Sequence, residues 1–140
     1  MKRIGLTMIA LLILIAASWF FGRPFQAETS GTLTIVLVDH TEEVRRDVVE
    51  YHKGESLYDI LSKNYEIRCA NALYEPAPSC EPLIYSEVSG RILLEIESLK
   101  SNWRETFIQI QINGIPAVTG MDQLKFNDQD EIRLILKTVE

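Results

Sequence analysis

The sequence holds little of what catalytic centres and metal sites are built from. Its 140 residues include two histidines and two cysteines. It has no Gly-x-Ser-x-Gly elbow, no His-Glu-x-x-His helix and no phosphate-binding loop. The hydrolase, metalloprotease and nucleotide-binding signatures that these motifs carry are therefore missing. His40 lies in a polar turn and His52 just ahead of a helix start, and both read as solvated loop residues. Asp128-Gln129-Asp130-Glu131 gathers three carboxylates without the ligand spacing of a Ca²⁺ loop, and reads as a turn. Glu95 and Glu97 alternate along one strand face, as a glycosidase pair could, but without a cleft they read as a solvated face. No catalytic residue, metal ligand or cofactor is expected.

Positive charge is equally scarce. All 20 acids lie beyond Arg23, against 11 of the 14 bases, so that part of the chain carries about −9. Nucleic acid needs Lys and Arg clustered on one face, and an anionic lipid surface needs the same, so neither is an expected partner of the domain. The balance serves solubility.

Long apolar runs are limited to one. Lys2-Arg3 precede an uncharged stretch from Ile4 to Phe21. A basic start followed by an apolar run is an export signal. Its length is also near the lower limit for a membrane-spanning helix. Residues 1–23 are thus a cleaved signal peptide or a retained anchor. Ala16-Ala17-Ser18 offers small residues for cleavage, whereas Trp19, Phe20 and Phe21 suit a membrane interface. In either case the domain beyond residue 23 is exported. Cys69 and Cys80, with ten residues between them, are expected to form a disulfide in that setting. Neither a Cys-x-x-Cys pair nor a nearby His favours metal or redox chemistry.

The remaining chain reads as one domain, residues 32–140, after a polar linker over 24–31. Leu33, Ile35 and Leu37 alternate with Thr34, Val36 and Val38 as a first strand, and Val44–Tyr51 form a second. Ser56 is a good N-cap with Asp59 placed to reach back, and Leu57, Ile60 and Leu61 share a face, which predicts a helix to Asn64. Residues 65–86 form a long loop holding both cysteines and three prolines. A strand ends at Ile96, and a turn covers Glu97–Trp103. Thr106–Ile112 then runs into Asn113-Gly114 and a partner strand Ile115–Val118, the strongest short-range hairpin signal in the chain. Asn127–Asp130 turn into a last strand, Glu131–Val139. The order predicts an α+β fold, a β-grasp-like mixed sheet with one short helix across it. Tyr58, Tyr65, Tyr74, Tyr85 and Trp103 gather around the helix and long loop. They serve either as a binding surface or as a seal of the loop onto the sheet.

With these elements placed, the sequence resembles the DUF4430 family, which is related to the C-terminal β-domain of transcobalamin. Gly54-Glu55-Ser56-Leu57-Tyr58-Asp59-Ile60-Leu61 is similar to the family's entry to the helix. Gln111-Ile112-Asn113-Gly114-Ile115-Pro116-Ala117 is similar to its Asn-Gly hairpin, and Phe126–Ile132 to its turn into the last strand. Gln129 departs from the family's usual Gly. Gln109 and Gln111 stand in for an aromatic pair, and Trp103 lies upstream of the usual Trp. The resemblance implies a β-grasp-type extracytoplasmic domain with a non-catalytic binding role. The ligand is a small molecule, corrinoid-like by family analogy, or a partner protein. These 140 residues hold no helical domain of the kind that completes the corrinoid site in transcobalamin-like proteins. A structural accessory of an envelope complex, pairing through a sheet edge, is the alternative.

Overall fold

The structure is a computed structural model that describes residues 7–15, 25–71, 73, 75–77, 80 and 91–139. Residues 7–15 form a first helix, α1, whose apolar side chains are exposed, among them Leu12 and Leu14. Among the described residues no helix is long and apolar enough to cross a membrane. The rest of the expected apolar run, 4–21, lies outside the described residues.

The fold is α+β, with a mixed main sheet covered on one face. The main sheet comprises β1 (Gly31–Asp39), β2 (Glu42–Tyr51), β7 (Thr106–Ile112), β8 (Ile115–Pro116) and β9 (Glu131–Thr138). Their order is β2-β1-β9-β7-β8. β1 and β9 pair in parallel, and the other pairs are antiparallel. Period-two alternation sends Leu33, Ile35, Leu37, Ile132 and Leu134 inward, all at most 1 % exposed. Val36, Val38 and Ile135 form a second buried cluster from the intervening positions. β1 is buried on both faces, as a central strand demands.

The helix α2 (Leu57–Asn64) begins as its sequence dictates. Ser56 donates its N–H to Asp59 Oδ2 at 2.8 Å, and Asp59 N–H donates to Ser56 Oγ at 3.3 Å, closing a capping box. Leu57, Ile60 and Leu61 are fully buried in the main core. Each contributes about 1.5–3 kcal/mol by leaving water.

A second sheet joins the expected strand ending at Ile96 to short strands in the expected loop and turn. β3 (Ile67–Ala70), β4 (Pro76–Ala77), β5 (Leu93–Ile96) and β6 (Leu99–Lys100) pair in the order β4-β3-β5-β6. β5 is the expected strand, whereas β3, β4 and β6 have two to four residues, too short for alternation to announce them. The sheet packs Cys69, Leu93, Ile96 and Leu99 into the main core. Cys69 and Cys80 are joined by a disulfide, with Cα atoms 4.8 Å apart. The expected linker is partly docked: Ala27 is buried and its backbone bonds those of Gly54 and Glu55. Phe25 packs edge-on against Phe126, which also meets Tyr51.

The β7–β8 turn has Asn113 at φ 50° and Gly114 at φ 82°, as a type I′ turn needs. β8 is shorter than expected: beyond Pro116 one more bond, Ala117 N–H to Ile110 O at 2.8 Å, joins it to β7 before the chain leaves the strand. Nothing lies within 4 Å of a Cβ built on Gly114, so substitution there acts through the backbone alone. Gly114→Val should cost about 1–3 kcal/mol and lower Tm by several degrees, whereas Gly114→Asn should cost much less. Calorimetry checks this; equal Tm for Gly and Val would mean that the turn does not hold. The chain produced in an oxidising compartment should also weigh two hydrogens less than its reduced form in intact mass. Reduction should cost about 3 kcal/mol of stability in chemical denaturation, by the loop-closure argument.

Candidate functional site

A shallow depression of about 360 Å³ opens on the small sheet, lined by Glu66, Arg68, Glu95, Glu97 and Lys100. Strand pairing builds it. Ile67, Ile96 and Leu99 stand in one cross-strand row, and Arg68, Glu95 and Lys100 in the next. The first row faces the core, so the second faces water. Arg68 Nε lies 3.5 Å from Glu95 Oε2. Glu97 occupies the two-residue turn between β5 and β6 at φ 51°. Its Oε1 accepts from Glu66 N–H at 3.1 Å and lies 3.6 Å from an Arg45 amino group. The side chains of Glu66 and Lys100 make no ion pair or hydrogen bond among the described residues. The depression thus sets three carboxylates beside two cations, with one group of each sign uncommitted.

Beyond Glu97, Arg45 Nε pairs with Asp47 Oδ2 at 2.7 Å. Tyr65 O–H donates to the same carboxylate at 2.8 Å. The Arg45 guanidinium stands 5.0 Å from the Tyr65 ring centroid. Burial, then the bond to Asp47, pushes the Tyr65 phenol well above its ordinary pKa, so it stays neutral and serves as a fixed donor.

The sequence grouped five aromatic residues as a possible binding surface. Tyr74 and Tyr85 lie outside the described residues. The other three share no partner. Tyr65 is buried against Asp47. Tyr58 lies under the Arg91 guanidinium, 3.9 Å from its ring centroid. Arg91 also donates to Cys80 O at 2.7 Å and forms an ion pair with buried Asp122. That node ties the disulfide, the helix and the segment before Phe126 together. Trp103 is 41 % exposed at φ 64°, its N–H bonded to Thr106 O.

His40 has partners that its sequence setting did not reveal. Nδ1 lies 2.7 Å from Asp39 Oδ1, and Nε2 lies 3.2 Å from Thr138 Oγ1. The order acid, imidazole, hydroxyl is that of a relay. The group sits on an exposed turn, however, and the neighbouring N–H groups of His40 and Val139 already bond Leu136 O and Glu105 O. No donor pair there is left for an oxyanion. The arrangement clamps the β1–β2 turn to the end of β9. Thr138 is 98 residues from His40, so no local pattern foretold it.

The acidic turn is likewise committed to structure. Asp128 Oδ1 accepts from Thr32 N–H at 2.8 Å. Asp130 accepts from Asn113 Nδ2 at 2.9 Å and from Asn127 N–H at 2.7 Å. Asn113 in turn accepts from Glu131 N–H at 2.9 Å, locking the hairpin turn to the start of β9. Gln129 takes φ 68°, a left-handed position that favours Gly. Among the described residues no three His, Cys, Asp or Glu side chains assemble a metal site.

Across the outer face of the main sheet runs a ladder from Glu43 to Arg46, Glu131 and Arg133. Arg46 holds Glu43 with two bonds of 2.7 and 3.0 Å and reaches Glu131 at 3.2 Å. Arg133 holds Glu131 at 2.8 Å. The Arg133 bond first, with help from Arg46, keeps the Glu131 carboxyl below its ordinary pKa. Arg46 does the same for Glu43.

No family model matches the chain, and no curated protein matches it. Solved structures share its fold. One is a Ruminococcus gnavus ATCC 29149 protein proposed to bind metal, at TM-score 0.53 and 18 % identity, with 79 % of this chain and 99 % of that one covered. Another is haptocorrin in complex with Cbi, at TM-score 0.54 and 13 % identity. That match covers 81 % of this chain but only 26 % of haptocorrin, so the present chain corresponds to about a quarter of that protein.

Proposed function

We propose that this chain is an exported, non-catalytic binding module that takes a small polar ligand in the depression walled by Glu66, Arg68, Glu95, Glu97 and Lys100. The observation that carries this is the uncommitted pair, Glu66 and Lys100, beside the loosely held Arg68 in one concavity. A ligand with both an ammonium and a carboxylate meets both signs at once. A volume near 360 Å³ is at the lower end for ligand sites and suits an amino acid or short peptide better than an enclosed macrocycle. The fold shared with haptocorrin and with the R. gnavus protein supports a binding role. A corrinoid, if held, would rest against this domain with another surface completing its site. The buried disulfide supports an extracytoplasmic location. The apolar run 4–21 supports anchoring to the cytoplasmic membrane, or secretion after cleavage.

The test is thermal unfolding of the full chain in mild detergent with zwitterionic amino acids, dipeptides, diamines, divalent metal ions and a corrinoid. A ligand at about 100 times its Kd should stabilise the fold by about 2.7 kcal/mol. Lys100→Ala, at an exposed residue, should leave Tm unchanged and remove the zwitterion's effect. No shift with any zwitterion, or an equal shift in Lys100→Ala, would overturn the reading.

A further inference from the structure

The main sheet ends at β2, and no described strand lies on its other side. A ten-residue edge is a template for another strand unless something blocks it. Six charged residues guard this one, Glu42, Glu43, Arg45, Arg46, Asp47 and Glu50. In their midst Val48 is 72 % exposed. An apolar residue this open, in the middle of an open edge, calls for a partner strand.

The charges select which strand. A bulge between Leu37 and Val38 sets Val44 out of register, leaving 45–51 as the regular part of β2. Alternation puts Arg46, Val48 and Glu50 on the outer face, opposite Val36, Thr34 and Thr32 of β1. For two copies of this strand to extend one sheet about a two-fold axis, the axis must pass through a residue, so that outer meets outer. An axis through Arg46 sets two arginines against each other, and one through Asp47 sets two aspartates. An axis through Val49 gives up part of the regular segment. An axis through Val48 pairs all of 45–51. It sets Val48 against its own copy and Glu50 against Arg46, twice, with no like charges opposed; each terminal nitrogen of Arg46 keeps a second N–H beyond its bond to Glu43 or Glu131. Glu50 makes no ion pair or hydrogen bond among the described residues and is free for this.

We infer that β2 pairs antiparallel with β2 of a second copy of this chain, about a two-fold axis at Val48, joining two five-stranded sheets into one. The guarding charges then exclude wrong registers and foreign strands. The paired segment spans about 24 Å, a contact below the roughly 1,200 Å² of a stable interface, so the dimer is weak and depends on concentration. Pairing at this edge does not depend on a ligand in the depression.

The experiment uses the full chain in mild detergent, with its native disulfide formed. Directly opposed residues have Cβ atoms about 4.5–5.5 Å apart, so a cysteine on the axis meets its own copy and one two positions away does not. Under mild oxidation Val48→Cys should cross-link at least about tenfold faster than Glu50→Cys, read on non-reducing gels. Sedimentation from about 1 to 500 µM should show dimer growing with concentration, and Glu50→Arg should weaken it about tenfold by opposing two arginine pairs. Glu50 is exposed, so that variant should keep its Tm. Monomer throughout the range would overturn the inference. So would equal cross-linking of the two cysteine variants, or a dimer indifferent to Glu50→Arg, since either would mean that another surface associates.

Discussion

The parallel pairing of β1 with β9 is the constraint on which the rest of the structure depends. It sets Ile35 beside Ile132 and Leu37 beside Leu134, joining segments about a hundred residues apart in sequence. Neither strand can bury its apolar rows without the other. Everything between them must then fit in one excursion: a hairpin partner on one side of β1, a helix and small sheet beneath, and a hairpin on the far side of β9. The entry to this pair is fastened by polar contacts. Asp128 holds Thr32, and Gln129 N–H donates to Thr32 O at 2.7 Å. A Cβ on Gly31 would come within 2.6 Å of the Tyr51 hydroxyl and 2.7 Å of Asp128, so any larger residue there must push those side chains aside.

The regular parts were legible because their patterns are local. Alternation announced β1, β7 and β9, the Ser56–Asp59 spacing announced the helix start, and Asn113-Gly114 announced the turn. Of the small sheet only β5 was legible, and the rest was hidden for a physical reason. Its strands are two to four residues long, and one opens with a proline. They are stabilised by the disulfide and by packing on the main core rather than by their own periodicity. The candidate site was hidden with it. Glu95 and Glu97 were visible as alternating acids, but the concavity needs Glu66, Arg68 and Lys100, which only strand pairing brings near. Of the five grouped aromatic residues, the three described ones have separate partners. Tyr58 and Tyr65 are absorbed by arginines whose positions no sequence window relates to them.

Charge does different work at each face of the molecule. On the outer sheet face, Arg46 and Arg133 are consumed by Glu43 and Glu131. That ladder crosses Val36, to which both arginines are register neighbours. Long charged side chains can cover apolar surface while their heads stay wet, which accounts for a buried Val36 on a face where no second layer lies among the described residues. At Arg91, charge is buried with Asp122, where losing either partner would strand the other. On the small sheet Glu66 and Lys100 are neither consumed nor buried. Free charge in a concavity is what distinguishes that place from the rest of the surface.

Backbone strain points to the same place. Among the described residues five other than glycine have positive φ: His40, Glu97, Trp103, Asn113 and Gln129. Each costs on the order of 1 kcal/mol and persists only where its surroundings fix it. His40, Asn113 and Gln129 serve turns that join strands of the main sheet, and their bonds run to that sheet. Glu97 differs, because its own side chain helps to hold its strained backbone. Its N–H donates to Glu66 O at 2.9 Å while its carboxylate accepts from Glu66 N–H. The result fixes the backbones of two acidic residues against each other, with Arg45 the one cation close to the Glu97 carboxylate among the described residues. A turn built only to reverse the chain has no need of an acid at its left-handed position, since Gly or Asn would reverse it at lower cost. An acid held there at a cost is better explained by what it faces. The cationic end of a ligand in the depression would gain from the Glu97 carboxylate without having to order it, and a pre-set acceptor of this kind reduces the entropic cost of binding.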